Sequence, residues 1–297
     1  MTTRTRGIKT DENSQEEDMP QPDVTGQDGR KVALITGSSR GLGRAIAEHL
    51  ARSGHDIVVN YRRNADLAQE SVHSLEQLGA RAIAIQADLE STDEIDAMFA
   101  GVQAQFGRLD VLVNNAAATA FKPLLELNDT NVQRTLRLSV NGFVRCVQQA
   151  VPLMEGRPGR VVAISGVDSS HYMPGHGLLG AAKAAVESLV RAFALELGPR
   201  GITVNGVRPG GFETDSSRIY GGSQYEFLRE RFIAQSGIKD FGTVDDMAGA
   251  VDYLVSPAAR YVTGHVIVVD GGLTANLGEL DAINDATRNH HMGRVNS

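Results

Sequence analysis

The chain has 297 residues, of which 41% are apolar, and its formal net charge is −7. A chain of this length can bury a large core, and no stretch reaches the roughly 18 consecutive apolar residues of a membrane-spanning helix. Lys and Arg form no basic block, so we expect a small-molecule substrate as partner, with no nucleic acid and no membrane.

The two ends of the chain differ in composition from the middle. Residues 1–30 are polar, with an acidic run at 11–18, and we predict a disordered N-terminal tail there. Residues 275–297 are also polar and are predicted to form a C-terminal tail. The pair His290 and His291 lies in that tail without carboxylate or cysteine partners at a ligand spacing, so no metal site is expected.

From residue 31 to 274 apolar segments alternate with helical patterns. The apolar segments are β-branched and apolar on both faces, as strands buried in a parallel sheet are. We therefore predict an α/β fold: a single Rossmann-like domain with a doubly wound, seven-stranded parallel sheet and helices on both faces. The predicted strands are 31–36, 55–60, 81–86, 109–114, 160–165, 202–207 and 265–270, and the predicted helices lie near 41–53, 64–78, 92–106, 130–154, 179–198 and 244–255.

A glycine-rich segment joins the first predicted strand to the first predicted helix. In TGSSRGLG, the glycines are Gly37, Gly41 and Gly43. Glycine lets the backbone turn tightly and approach a pyrophosphate, while the N-terminus of the following helix supplies free N–H groups and the positive end of its dipole. The order strand, glycines, helix favours a dinucleotide site over a simple glycine-rich turn.

The end of the second predicted strand indicates which dinucleotide. A site for NAD usually has a carboxylate here to hold the ribose 2′-hydroxyl, but this chain has Asn60 followed by Tyr61, Arg62 and Arg63. Arg40 and Arg62 can instead pair with a 2′-phosphate. We therefore predict NADPH as the cofactor, the alternative being that both arginines are merely solvated.

The segment 31–274 resembles a short-chain dehydrogenase/reductase along its whole length. The glycine motif, Asp88-Leu89, the run 114–117 (NNAA), Asn141 in SVNGF, Arg208-Pro209-Gly210 with Thr214, and VIVVDGG at 266–272 each resemble a family motif. The resemblance implies cofactor contacts from Gly37, Ser38, Ser39, Arg40, Gly41, Leu42, Gly43, Asn60, Tyr61, Arg62, Asp88, Leu89, Asn115, Ala116, Ala117, Lys183, Pro209, Gly210 and Thr214.

The catalytic residues depart from the family pattern. Most members have a Ser and a Tyr, with a Lys four residues after the Tyr. The Lys is Lys183, but Leu179 stands four residues before it and Gly166 stands at the Ser position. In NYRRN, in NAAA and in the gap-free run up to Lys183, the chain resembles type III enoyl-acyl-carrier-protein reductases. In their register the Tyr position is His176, and Tyr172 precedes it by four residues.

Four residues are therefore the candidates for catalysis. We expect Lys183 to bind the ribose hydroxyls and to act on a neighbouring donor through its charge. His176 could supply a proton, because imidazole titrates near neutrality; the alternative is an ordinary loop histidine. Tyr172 could polarise a carbonyl, or its ring could simply pack. Asn141 is expected to hold a helix bend and a water near Lys183.

Further residues could complete the pocket. Asp168, Ser169, Ser170 and His171 follow the fifth strand, where open α/β sheets bind ligands, and we expect one or two of them to face the substrate. Ser165 should point the other way by strand alternation. Residues 212–240 are predicted to form a mobile lid.

The sequence thus predicts an NADPH-dependent reductase of a carbonyl or enoyl group, with a non-standard proton donor. Two alternatives stay open: a non-redox enzyme that uses the altered pocket for cyclisation, dehydration or isomerisation, and a catalytically inactive partner subunit. The resemblance implies a homo-oligomer with two-fold symmetry, either a dimer or a homotetramer. Cys146 is the single cysteine, which is typical of a cytoplasmic protein, and we interpret it as a buried thiol rather than a nucleophile.

Overall fold

The computed structural model of the chain describes residues 29–214, 217–218, 222 and 225–276. Both predicted tails, with His290 and His291, lie almost entirely outside these residues. The described chain forms one sheet of seven parallel strands, as predicted. The strands are β1 (Lys31–Ile35), β2 (His55–Tyr61), β3 (Ala82–Gln86), β4 (Val111–Asn114), β5 (Arg160–Ile164), β6 (Thr203–Pro209) and β7 (Val266–Val269). Their order in the sheet is β3-β2-β1-β4-β5-β6-β7.

Helices connect the strands, and several of them begin at a capping residue. Asn64 and Ser91 accept hydrogen bonds from the first turns of the second and third helices, and Thr243 closes a capping box on the last. The helices are α1 (Gly41–Arg52), α2 (Ala65–Gln77), α3 (Thr92–Phe106), α4 (Asp129–Leu136), α5 (Gly142–Leu153), α6 (Gly177–Leu197), α7 (Tyr225–Gln235) and α8 (Val244–Val255).

The helices cover both faces of the sheet. On one face α1, α2 and α8 pack on a core that includes Ile35, Ile46 and Val251. On the other face α3, α5 and α6 pack on a second core, which includes Leu112 and Phe143. None of the helices in the described part of the chain combines the length and the hydropathy needed to cross a membrane.

One predicted helix is interrupted in the structure. We predicted a single helix at 130–154, but a π-helical segment, Arg137–Asn141, separates α4 from α5. A side chain at Gly142 would approach the carbonyl oxygen of Leu89 to 2.9 Å, so α5 begins in very close contact with the loop after β3. The wider π turn changes the helix phase, and a hydrophobic period alone does not reveal such a change.

The predicted lid also contains more structure than expected. The helix α7 occupies part of it, with Tyr225 buried at its start and the Phe232 ring 6.3 Å from the Phe241 ring. Phe227 is 62% exposed. The residues between 214 and 225 are mostly outside the described chain.

Candidate active site

The strand order reverses between β1 and β4, and this places a crevice at the carboxyl ends of those two strands. β1 pairs with β2 on one side and with β4 on the other, all in parallel. In a doubly wound sheet the connections from such neighbouring strands leave to opposite faces, which opens a ligand crevice. The glycine segment follows β1 at this point, and Asn115 follows β4.

The glycine segment has the conformation that its composition predicts. Gly37 and Gly41 have φ values of +63° and +57°, in the left-handed region that favours glycine. A Cβ atom at Gly43 would lie 2.5 Å from the carbonyl oxygen of Gly37 and 2.7 Å from Nδ2 of Asn115. Only glycine therefore allows α1 to pack this closely under the loop.

Neighbouring strands hold this loop in place. Nδ2 of Asn115 donates to the carbonyl oxygens of Thr36 (2.9 Å) and Gly37 (3.2 Å), and the Thr36 hydroxyl accepts from the backbone of Asn115 and Ala116. Oδ1 of Asn60 accepts from the backbone N–H of Gly37 at 3.1 Å. The two asparagines thus fix the loop from both sides before any ligand is bound.

The N-terminus of α1 is open to a ligand. Arg40 stands at the N-cap with no side-chain hydrogen bond to the helix, so the first-turn N–H groups lack a capping partner from it. Ser38 is buried and its hydroxyl donates to Ile35, whereas Ser39 is half-buried and Arg40 is exposed. Leu42 anchors the turn in the core. The pre-set loop, the free N–H groups and the close glycine contacts fit a dinucleotide pyrophosphate.

The two arginines predicted for a 2′-phosphate differ in their surroundings. Nη1 of Arg62 lies 3.4 Å from Oε1 of Glu90 and 3.8 Å from Oδ2 of Asp88. Glu90 is also paired with Arg134. Arg40 makes no ion pair with any described residue, so it is the more available of the two cations.

The other predicted cofactor residues line the same edge of the sheet. Leu89 is buried beside the half-buried Asp88, and Tyr61 is half-buried at the end of β2. Beyond β6, a Cβ atom at Gly210 would lie only 2.6 Å from Cβ of Asp270. Ala116 is half-buried and Ala117 exposed after β4, Pro209 is buried at the end of β6, and Thr214 exchanges hydrogen bonds with Ser217.

Lys183 lies in the first half of α6 and is buried. Its Nζ donates to the carbonyl oxygen of Ile164, at the end of β5, at 2.6 Å. Burial lowers the pKa of Lys183 to about 8, while the charges of Asp168 and Glu187 act in the opposite direction. The ammonium group therefore sits in a low-dielectric place directly beside the crevice.

His176 immediately precedes α6 and contacts a carboxylate. Its Nδ1 lies 3.2 Å from Oδ2 of Asp168, and its ring lies 4.7 Å from the ring of Phe121. The side chain of Asp168 is only 6% exposed, whereas that of His176 is 24% exposed. A Cβ atom at Gly166 would overlap with Oδ1 of Asp168, so this carboxylate fills the space beside the position where most relatives of the predicted family carry serine.

The other two catalytic candidates, Tyr172 and Asn141, do not lie beside Lys183 and His176. Tyr172 is 86% exposed. Asn141 is exposed and lines a cleft between α3 and α5 with Asp96 and Arg145. Since α5 lies between α3 and α6, this cleft is on the side of α5 away from Lys183.

The expected helix bend is nevertheless present, because Asn141 ends the π-helical segment. Within that segment the buried polar residue is Ser139, which is 2% exposed and whose hydroxyl has no hydrogen-bond partner among the described residues. Cys146, on α5, is fully buried, and burial raises the pKa of its thiol to about 12. This environment is that of a structural thiol, as predicted.

Sequence reasoning missed a buried charge network beneath the crevice. Glu187, on α6, accepts hydrogen bonds from Ser165 (2.5 Å) and Ser169 (2.7 Å) and is paired with Arg208 at 2.5 Å. Burial acts to raise the pKa of Glu187, but the hydrogen bonds from Arg208 and the serines outweigh it and lower that pKa. The available signal was its position: Glu187 is four residues after Lys183 and so lies on the same face of the helix.

This network joins three elements under the site. It connects the loop after β5, the helix α6 and the strand β6, and Arg208 also donates to Ser170 at 3.1 Å. Ser165 therefore faces Glu187, away from the position of Gly166, as strand alternation predicted.

Comparisons with known proteins identify reductases that this chain resembles. A family model described as Enoyl-(Acyl carrier protein) reductase matches residues 37–274. The chain is 42% identical over 247 residues to 1-cyclohexenylcarbonyl-CoA reductase of Streptomyces collinus, covering 83% of this chain and 88% of the relative. It is 37% identical over 244 residues to 3-oxoacyl-(acyl-carrier-protein) reductase of Staphylococcus aureus, covering 82% and 98%.

The fold is shared with a solved structure. A short-chain dehydrogenase from Burkholderia cenocepacia, crystallised in complex with NADP, superposes with a TM-score of 0.77 at 35% identity, covering 85% of this chain and 99% of that one.

Proposed function

The chain belongs to the short-chain dehydrogenase/reductase family, and from that premise we propose that it is an NADPH-dependent reductase of the carbon–carbon double bond in an enoyl thioester or a related α,β-unsaturated carbonyl compound. It is an oxidoreductase by family. The cofactor, the substrate and the proton donor are the proposal.

The observation that carries the proposal is the composition of the reaction end of the crevice. Leu179 and Gly166 stand where the family's Tyr and Ser usually stand, so neither hydroxyl is available. Two groups of the described chain there can carry a proton close to the end of β5: the buried ammonium of Lys183 and the imidazole of His176, which contacts Asp168.

This set of groups suits enoyl reduction better than ketone reduction. A bound reduced nicotinamide supplies two electrons and one hydrogen as hydride, so the protein must deliver one proton to balance the reduction. Ketone reduction leaves a strongly basic alkoxide that must be protonated at once. Enoyl reduction leaves an enolate, which is a weaker base than an alkoxide. The ammonium of Lys183 can stabilise this enolate until His176 delivers a proton.

The preference for NADPH rests on the end of β2, where no carboxylate is free for a ribose hydroxyl, and on Arg40. We expect NADPH to bind more tightly than NADH in calorimetric titrations. Arg40→Ala should lower the ratio of NADPH affinity to NADH affinity about tenfold, which corresponds to the loss of one charge-assisted contact of about 1.5 kcal/mol. Arg52→Ala is the control, because Arg52 lies at the far end of α1 and is 53% exposed. Equal affinity for the two cofactors would contradict the assignment.

The reaction itself is tested by nicotinamide absorbance with NADPH and a panel of enoyl thioesters, enones and ketones. We expect turnover with the unsaturated thioesters, and a loss of ~10²–10⁴-fold in His176→Ala. The matched control is His73→Ala, which removes an exposed histidine of α2, on the opposite face of the sheet from α6. If no compound of the panel consumes NADPH, the proposed function is wrong and a non-redox role takes its place.

We also propose that the chain works as a two-fold homo-oligomer. Tyr261 is 93% exposed, Leu195 on α6 is 81% exposed, and Val268 on the edge strand β7 is 41% exposed. Large apolar side chains on an open sheet edge and a neighbouring helix favour association with a second copy. Light scattering at micromolar concentration tests this, and a monomer would contradict it.

A further inference from the structure

We infer that Asp168 is a positioning residue for catalysis: it holds the imidazole of His176 through Nδ1, so that Nε2 is the nitrogen that faces the reacting substrate. This inference rests on the proposed function for its catalytic meaning, but the arrangement of the two side chains can be tested without turnover.

The geometry of the pair is specific. A carboxylate can only accept, so the hydrogen atom of the 3.2 Å contact lies on Nδ1 of His176, which donates to Oδ2 of Asp168. The neutral ring is thereby fixed in one of its two tautomers, as the aspartate of a catalytic triad fixes its histidine. The Phe121 ring, 4.7 Å away, limits rotation of the imidazole.

Two glycines make room for this carboxylate. Any side chain at Gly166 would overlap with Oδ1 of Asp168, and any side chain at Gly180 would overlap with the Asp168 backbone carbonyl. Gly180 belongs to the first turn of α6, which begins directly after His176. The loop after β5 and the start of α6 are thus fitted together around Asp168, with its side chain 6% exposed.

The proton balance is simple. The imidazolium form of His176 releases its Nε2 proton to the enolate, which becomes the saturated product. The ring is then neutral, and its remaining hydrogen stays bonded to Nδ1, which continues to donate to Asp168. Because the His176 side chain is 24% exposed, water can return the proton to Nε2 for the next turnover. Asp168 neither gains nor loses a proton in this cycle.

The first test is spectroscopic and needs no substrate. In protein labelled with ¹⁵N-histidine, the signal of His176 is assigned by its loss in His176→Ala. We expect neutral His176 to carry its hydrogen on Nδ1, and in Asp168→Asn to carry it on Nε2, since the new amide can donate to Nδ1. A hydrogen on Nε2 in the unchanged protein would overturn the inference.

The second test is a double-mutant cycle on enoyl reduction. Asp168→Asn should lower kcat by ~10–100-fold with little change in KM, less than the ~10²–10⁴-fold loss of the donor itself. In the His176→Ala background the same change should have less than about a twofold effect, because Asp168 acts through the missing ring. An additive loss would assign Asp168 a purely structural role and overturn the inference.

A second variant tests the same inference if Asp168→Asn does not fold. Gly166→Ala changes neither Asp168 nor His176, but its methyl group displaces the Asp168 carboxylate. We expect the neutral ring of His176 to carry its hydrogen on Nε2, as in Asp168→Asn, and we expect kcat to fall. Gly198→Ala is its control, since a Cβ atom there meets nothing within 4 Å. If the unchanged protein reduces nothing, the proposed function fails while the tautomer of His176 still decides whether Asp168 positions it.

Discussion

The buried ammonium of Lys183 should make this protein less stable near neutral pH than it would be without that charge. Its pKa falls from 10.5 to about 8 because burial disfavours the charged form. A difference of this size between the unfolded and folded states corresponds to about 3 kcal/mol of lost stability while both states are protonated, at about 1.36 kcal/mol for each pKa unit.

The sign of the pH dependence follows from the lowered pKa. Below about pH 8 Lys183 is protonated in both states, and the full penalty is present. Between pH 8 and 10.5 the unfolded chain binds more protons than the folded one, so the penalty decreases and stability rises with pH. Lys183→Met removes the charge at every pH and should abolish this part of the pH dependence.

The assay is urea unfolding of the cofactor-free protein at pH 7 and pH 9.5. Relative to Lys183→Met, the unchanged protein should gain about 2 kcal/mol between the two pH values. Lys122→Met is the control, because Lys122 is exposed. The lost hydrogen bond to Ile164 lowers the stability of Lys183→Met equally at both pH values. A constant difference between the two proteins would therefore refute the buried-charge argument.

Two further predictions concern the elements that carry the site. Gly180→Ala should cost at least about 2 kcal/mol in urea unfolding because its methyl group overlaps with the backbone of Asp168, whereas Gly249→Ala, in open space on α8, should gain up to about 1 kcal/mol. Glu187→Gln should cost about 3 kcal/mol at pH 7 by leaving Arg208 without its carboxylate. Because the folded state lowers the pKa of Glu187, the stability that this carboxylate contributes is lost as the pH falls through that lowered pKa, so the variant and the unchanged protein should converge in acid unfolding. Equal losses in both glycine variants, or a pH-independent effect of Glu187→Gln, would contradict these assignments.

The fold could be predicted because its pattern is local. Seven β-branched segments alternate with helical periods, and such segments can be buried on both faces only in a parallel sheet covered by helices. The glycine loop was predictable for the same reason, since Gly37, Gly41 and Gly43 act through backbone geometry within eight residues.

The change of helix phase between α4 and α5 could not be predicted from neighbouring residues in the sequence. The π turn at Arg137–Asn141 leads directly into Gly142, which packs against Leu89, about fifty residues earlier in the chain. The motif resemblance of SVNGF pointed to Asn141, while the structure turns Ser139 inward and leaves Asn141 at the surface.

The sheet, the succession of its strands and helices and the dinucleotide loop were predictable because each depends on residues close together in the chain or on a hydrophobic period, whereas Lys183 was found through the resemblance to the family. The pairing of the polar groups near Lys183 depends on the three-dimensional packing of the chain. The loop after β5 folds back on the start of α6, so that Asp168 reaches His176 across eight residues and Glu187 reaches Arg208 across twenty-one. Such contacts depend on how an irregular loop packs against a helix, and neither period nor spacing encodes that packing.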